Sequence, residues 1–202
     1  MAVPAIDYWL SVASPWAYLG GERFAQLAAR HGAHVNVRPM ELGEVFAATG
    51  GVPFAMRSAA RQAYRQLELG RWSQRLGVPL NLAPRFYPVD RAPASRLLLA
   101  ARDVGEDVLA LSNAVLKAIW AEDRDIADWG VLRDIADSKG MSGAALTRMA
   151  QESAMAEIFA AETRSAIDSG VFGAPTYVVE GELFWGQDRL EFVDAALSRH
   201  GA

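Results

Sequence analysis

Two short stretches carry the residue types that could do chemistry. The first is Ser14-Pro15-Trp16-Ala17, directly after an apolar alternation. Serine suits a helix N-cap and proline the first helical position, so this is a strand-to-helix junction. There the free N–H groups and the dipole of a helix N-terminus stabilise negative charge. The second is Gly173-Ala174-Pro175-Thr176, just before a β-branched run. A proline opening a strand is a candidate cis peptide, and the residue before it can offer backbone N–H and C=O to an extended peptide. Each stretch has a plainer explanation. Ser14 is equally accounted for as an N-cap, a role compatible with the chemical one. Pro175 would serve as an ordinary trans-proline at a strand start.

Composition narrows the chemistry. The chain has no cysteine, which removes disulfides, thiolate metal sites and a cysteine nucleophile together. His31, His34 and His200 show no metal-ligand spacing, so no metal is expected. His31 and His200 are placed near helix ends, where they complement the dipole. Net charge is −4, with no block of like charge, so nucleic acid and membrane surfaces are not expected partners. The first basic residue is Arg23 and no apolar run is long enough to span a bilayer, which points to the cytoplasm. With 202 residues, 51% hydrophobic and 22% charged, the chain fits one domain or one domain with a large insertion.

The elements that would hold these stretches follow from periodicity. Ile6, Tyr8, Leu10 and Val12 alternate with Asp7, Trp9, Ser11 and Ala13, with bulk on both faces, as in a buried strand. Phe24, Leu27 and Ala28 give the following helix its stripe, and His31-Gly32 stops it. Val35 and Val37 begin a second strand ending at Pro39, which completes a parallel β-α-β unit. From 43 to 163 no strand pattern is found. Helices are expected at 58–76, 93–104, 108–121, 129–138 and 143–163. Sheet returns with Thr176-Tyr177-Val178-Val179, a turn at Glu180-Gly181, and Leu183-Phe184-Trp185. Asp188 stands three before Glu191 in capping-box spacing, and Leu190, Val193 and Leu197 form the last apolar stripe. Trp72, Trp120 and Trp129 read as core or interface, Tyr64 as core or cleft, and Glu122-Asp123 as solvated helix-end charges.

The order β-α-β, helices, β-β-α is an α/β, thioredoxin-like order with a large all-helical insertion. The expected divisions are 1–42 and 164–202 for the two halves of the thioredoxin-like part and 43–163 for the insertion. In that register Ser14 takes the place of the first cysteine of a Cys-x-x-Cys motif and Ala17 the second. A dithiol mechanism is impossible, but a serine hydroxyl can still donate to an external thiolate.

Ser14-Pro15-Trp16-Ala17-Tyr18-Leu19, residues 170–176, and Phe184-Trp185-Gly186-Gln187-Asp188-Arg189-Leu190 resemble the 2-hydroxychromene-2-carboxylate isomerase family, related to kappa-class glutathione transferases and to DsbA. The likeness extends through Leu69-Gly70-Arg71-Trp72-Ser73 in the insertion and covers nearly the whole chain. It implies glutathione as cofactor, with Ser14 catalytic and beside the glutathione sulfur. It implies that Ala174, with Pro175, pairs with the tripeptide backbone, and that Trp185, Gly186, Gln187 and Asp188 hold the γ-glutamyl end. Asp188 is acid enough to meet the α-ammonium, although 187–189 also reads as a capped helix start with surface charges. The implied reaction interconverts 2-hydroxychromene-2-carboxylate and trans-o-hydroxybenzylidenepyruvate by reversible thiolate addition. Trp16, Gly51, Tyr64, Phe86 and Pro88 are the expected contacts of a small aromatic substrate. The family's first-strand Asp is replaced here by Ser11, and its Asn before the loop proline is missing from Thr49-Gly50-Gly51-Val52-Pro53. A kappa-type transferase and a non-catalytic peptide-binding module remain alternatives, and a homodimer is expected.

Overall fold

The computed structural model describes residues 3–200, without the His200 side chain. β1 (Ala5–Leu10) is an inner strand of a four-stranded sheet whose order is β2 (His34–Pro39), β1, β3 (Thr176–Val179), β4 (Glu182–Trp185). β2 pairs with β1 in parallel, Ile6 opposite Val35. β3 pairs with β1 antiparallel, Tyr8 opposite Tyr177. β4 continues antiparallel from β3. The two-residue turn between them puts Glu180 at φ 48° and Gly181 at φ 86°, the left-handed pair that a tight hairpin requires.

The alternation in β1 sends side chains to two cores, as its two-sided bulk implies. Ile6, Tyr8 and Leu10 enter the main core with Phe24 of α1 (Pro15–Arg30). Tyr8 stacks on Tyr177 at 5.3 Å between ring centroids, and Phe24 closes the trio. Trp9 goes to the opposite face, with Met40, Val45, Ala166, Val171 and Ala174, and takes the Arg38 guanidinium over its ring at 4.0 Å.

Between β2 and β3 the described residues form helices and loops and no strand. The helices are α2 (Leu42–Thr49), α3 (Ala59–Leu76), α4 (Ala92–Asp103), α5 (Val108–Trp120), α6 (Trp129–Ser138), α7 (Gly143–Ala150) and α8 (Ser153–Asp168). α4 and α5 pack into the same main core as the sheet. α9 (Leu190–His200) closes the chain. No helix among the described residues is long and apolar enough to cross a membrane.

Five sequence expectations need correction. α2 is a helix that glycine and proline punctuation hid; Glu41 caps it by accepting from Gly43 N–H at 3.0 Å, and Gly50 ends it at φ 79°. The stretch 143–163 is two helices, parted at Gln151-Glu152 without glycine or proline because α7 packs on α4 and α6 while α8 packs on α2 and α4. Asp188 caps nothing: Gln187–Arg189 is a 3-10 turn that runs into α9, and no side chain caps it. Tyr64 is 58% exposed and so is not core. Trp120 is buried, as expected. Glu122 is not merely solvated; it pairs with Lys117 at 2.8 Å.

Candidate active site

The hydroxyl of Ser14 sits where the helix begins because three local preferences agree. Ser14 has extended backbone, its Oγ accepts from Ala17 N–H at 3.2 Å, and Pro15 takes the first helical position, where a missing N–H costs nothing. Ser14 is buried, 6% exposed. Its own O–H donates to Ala174 C=O at 3.5 Å, the outer limit of a hydrogen bond, so the proton is free to turn toward a better acceptor. Trp16 N–H, in the first turn, has no acceptor among the described residues.

Facing this junction is the second stretch. The Ala174-Pro175 bond is cis, and so, without a sequence signal that singles it out, is Tyr87-Pro88. Ala174 is buried, and its N–H also has no acceptor among the described residues. Two backbone N–H groups without acceptors and a loosely held hydroxyl thus meet at this junction, donors of the kind an anion takes.

A cleft of about 480 Å³ opens from this point. Ser14, Trp16 and Ala174 line it, together with Trp185 and Gly51. Trp185 is 52% exposed and meets Phe172 edge-on at 4.9 Å; a Cβ on Gly173 would collide with its indole. Four other clefts, of about 690, 440, 320 and 210 Å³, reach neither Ser14 nor Ala174.

The remaining expected contacts divide. Gly186, at φ 107°, and Asp188 follow Trp185 in the chain, and neither lines the cleft. Gln187 turns inward: it is 2% exposed and its Oε1 accepts from Arg23 Nη1 at 2.8 Å. The Asp188 carboxylate is partly exposed and pairs with Arg189 at 3.2 Å. Tyr64, Phe86 and Pro88 do not line the cleft; Tyr87 between them does.

Sequence reasoning missed Arg23 and the cleft arginines Arg57, Arg65 and Arg91. Signals for both were present. Gly20-Gly21 in mid-helix is unfavourable unless something packs closely, and a Cβ on Gly20 would stand 2.7 Å from the Gln187 Cβ. Between Glu44 and Glu68 the chain has Arg57, Arg61 and Arg65 and no acidic residue. Burial lowers the Arg65 pKa; Tyr87 opposes that shift and the Arg57 charge adds to it.

This arrangement, a helix N-terminus facing a cis-proline across the end of a four-stranded sheet, meets its counterpart in sequence. Residues 5–198 match the DSBA-like thioredoxin domain. The chain belongs to that family. Within it, the chain is 30% identical over 193 residues to a 2-hydroxychromene-2-carboxylate isomerase of Sphingobium xenophagum, covering 95% of this chain and 97% of that one. A solved structure of a 2-hydroxychromene-2-carboxylate isomerase superposes with a TM-score of 0.80 at 25% identity, over 97% of this chain and 95% of that one. A kappa 1 glutathione S-transferase of Rattus norvegicus is 25% identical over 201 residues, 93% of this chain and 88% of that protein. The chain is thus a member of the isomerase family, with kappa-class relatives. Its defining departure from disulfide chemistry is Ser14 with no cysteine anywhere in the chain.

Proposed function

We propose that this protein is a glutathione-dependent isomerase of conjugated aromatic keto acids, with 2-hydroxychromene-2-carboxylate and trans-o-hydroxybenzylidenepyruvate as the pair to test first. The observation that carries the reading is the Ser14 hydroxyl at the N-terminus of α1. It is buried, weakly held at 3.5 Å by Ala174 C=O, and stands in a chain that has no thiol of its own. Bound there, glutathione would supply the missing nucleophile, adding to and leaving from the conjugated carbon so that the double bond can rotate.

The chain's residues would do the rest. Ser14 O–H donates to the sulfur, and the α1 dipole with Trp16 N–H favours its anionic form. Ala174 N–H, which has no acceptor among the described residues, takes a carbonyl of the tripeptide backbone. Asp188 offers its carboxylate to the α-ammonium, and Gln187, held by Arg23, fixes the segment that presents it. Aromatic side chains of the cleft, Trp16 and Tyr87 among them, flank a planar substrate. The same proposal includes the cytoplasmic setting, the homodimer and the place in aromatic degradation that the family resemblance implies.

The kappa-class relative favours a second reading, a transferase that releases the conjugate. Product analysis separates the two. With glutathione present, the protein should speed interconversion of the chromene acid and the open keto acid without net consumption of glutathione. A stable thioether accumulating instead would make it a transferase. No rate above the protein-free mixture would leave the isomerase reading without support.

A further inference from the structure

Of the three arginines lining the cleft, one is neutralised and two are not. Arg91 donates to both oxygens of Glu41, through Nε at 3.2 Å and through Nη2. Arg57 and Arg65 meet no carboxylate among the described residues. The Arg57 Nε–H is spent on Val52 C=O at 2.8 Å, and its terminal nitrogens have no partner there. The Arg65 guanidinium lies over the Phe54 ring, 4.3 Å from its centroid, and is half-buried. Elsewhere the half-buried guanidiniums of Arg38 and Arg102 share the carboxylate of Glu162. Arg65 has the Tyr87 hydroxyl as a hydrogen-bond partner but no counterion, and the Arg57 charge acts on it unfavourably; two like charges left so in one cleft are costly, and the cost is relieved when an anion enters.

The wall around them shows what kind of anion. Phe46, Phe54, Tyr87 and Trp16 line the same cleft, and together they suit a flat aromatic body. A guanidinium fork suits a carboxylate at its end.

We infer that Arg57 and Arg65 form the subsite for the carboxylate of a planar aromatic substrate, and that they select acids over neutral electrophiles. The inference deepens the isomerase reading, on which it rests for the meaning of the cleft. It also bears on the choice between isomerase and transferase: a site that demands a carboxylate accepts chromene and keto acids and turns away the neutral aromatic electrophiles of a general conjugating enzyme.

The test uses binding alone, with no glutathione and no turnover. Calorimetry would compare trans-cinnamate with its neutral amide on the wild-type protein, on Arg57→Gln/Arg65→Gln and on Arg57→Lys/Arg65→Lys. The wild type should prefer the acid by about tenfold or more, the size of a charge-assisted hydrogen bond. The glutamine variant should lose that preference while binding the amide as before, and the lysine variant should keep most of it. Glutathione affinity should be the same in all three proteins. Equal affinity of the wild type for acid and amide, or no binding of the acid, would overturn the inference. So would a loss of glutathione affinity in step with the loss of cinnamate, which would give the pair to the tripeptide's glycine carboxylate. If the preference holds but no conjugated keto acid is isomerised, the carboxylate subsite stands and the isomerase reading falls.

Discussion

The wall of the cleft that carries Ser14 and Ala174 is part of the core, whereas much of the wall that carries Arg57 and Arg65 is a helix laid on the outside. Ser14 and Ala174 are 6% and 9% exposed, and the helix behind Ser14 buries Ala17, Leu19, Phe24 and Leu27. α3, by contrast, buries only Leu69 among its described side chains, and Tyr64 and Leu67 stand more than half exposed. The difference assigns different tasks. A group that must meet a sulfur atom at a fixed place is best held by packing that cannot shift. A group that only has to recognise the far end of a substrate can sit on a surface helix, where its identity can change at little cost to the fold.

That contrast can be broken or sharpened by substitution. The largest stability effect is expected on the core side. Gly20→Ala would push a Cβ to within 2.7 Å of the Gln187 Cβ, between α1 and the turn before α9. It should cost about 1–3 kcal/mol in urea unfolding, the usual penalty for overpacking. It should also weaken glutathione binding, because Gln187 would lose its 2.8 Å bond from Arg23. On the outer side, Arg57→Gln/Arg65→Gln should change unfolding stability by less than about 1 kcal/mol, since no ion pair among the described residues is lost. A multi-kcal/mol loss there would show that the outer wall is also structural.

The smallest effect at neutral pH is expected inside the core, at two hydroxyls that make no hydrogen bond. Tyr8 and Tyr177 are fully buried with unpartnered hydroxyls, and burial is the main cause raising both pKa values. Removing such a hydroxyl leaves no partner orphaned, so Tyr8→Phe/Tyr177→Phe should match or exceed wild-type stability at pH 7. The raised values also set a pH window. Unfolded tyrosine ionises near pH ~10, so the neutral buried form contributes stability below that point and loses it as pH rises beyond. The double variant should therefore resist alkaline unfolding better than the wild type. Thermal melts from pH 8 to 11 would measure it, and identical alkaline losses in both proteins would contradict it.

The same contrast governs how much could be read from the sequence. The core side was legible because its signals are local. Ser14-Pro15 announces a helix start, Glu180-Gly181 a hairpin, and the alternation in 6–12 a strand buried on both faces. The outer side was not, because there the chemistry depends on which loop folds over which. Tyr64 and Tyr87 are equally plausible from their neighbours in sequence, and only the placement of α3 and the 84–90 loop sends Tyr87 inward and Tyr64 to solvent. Gln187 shows an intermediate case. Its segment was marked by family resemblance, but its side chain faces Arg23 of α1, and only the Gly20-Gly21 pair hinted at that approach.

The central claim is that Ser14 activates a thiol that the chain does not own. The direct test is a calorimetric titration with reduced glutathione, paired with a spectrophotometric pH titration of the bound thiol, in the wild type and in Ser14→Ala. The account predicts saturable binding by the wild type with a bound-thiol pKa below that of free glutathione. In Ser14→Ala that depression should shrink, and turnover should fall by about a hundredfold, as when a preorganised donor is removed. No binding of glutathione up to several millimolar, or an equally depressed thiol pKa in both proteins, would contradict it.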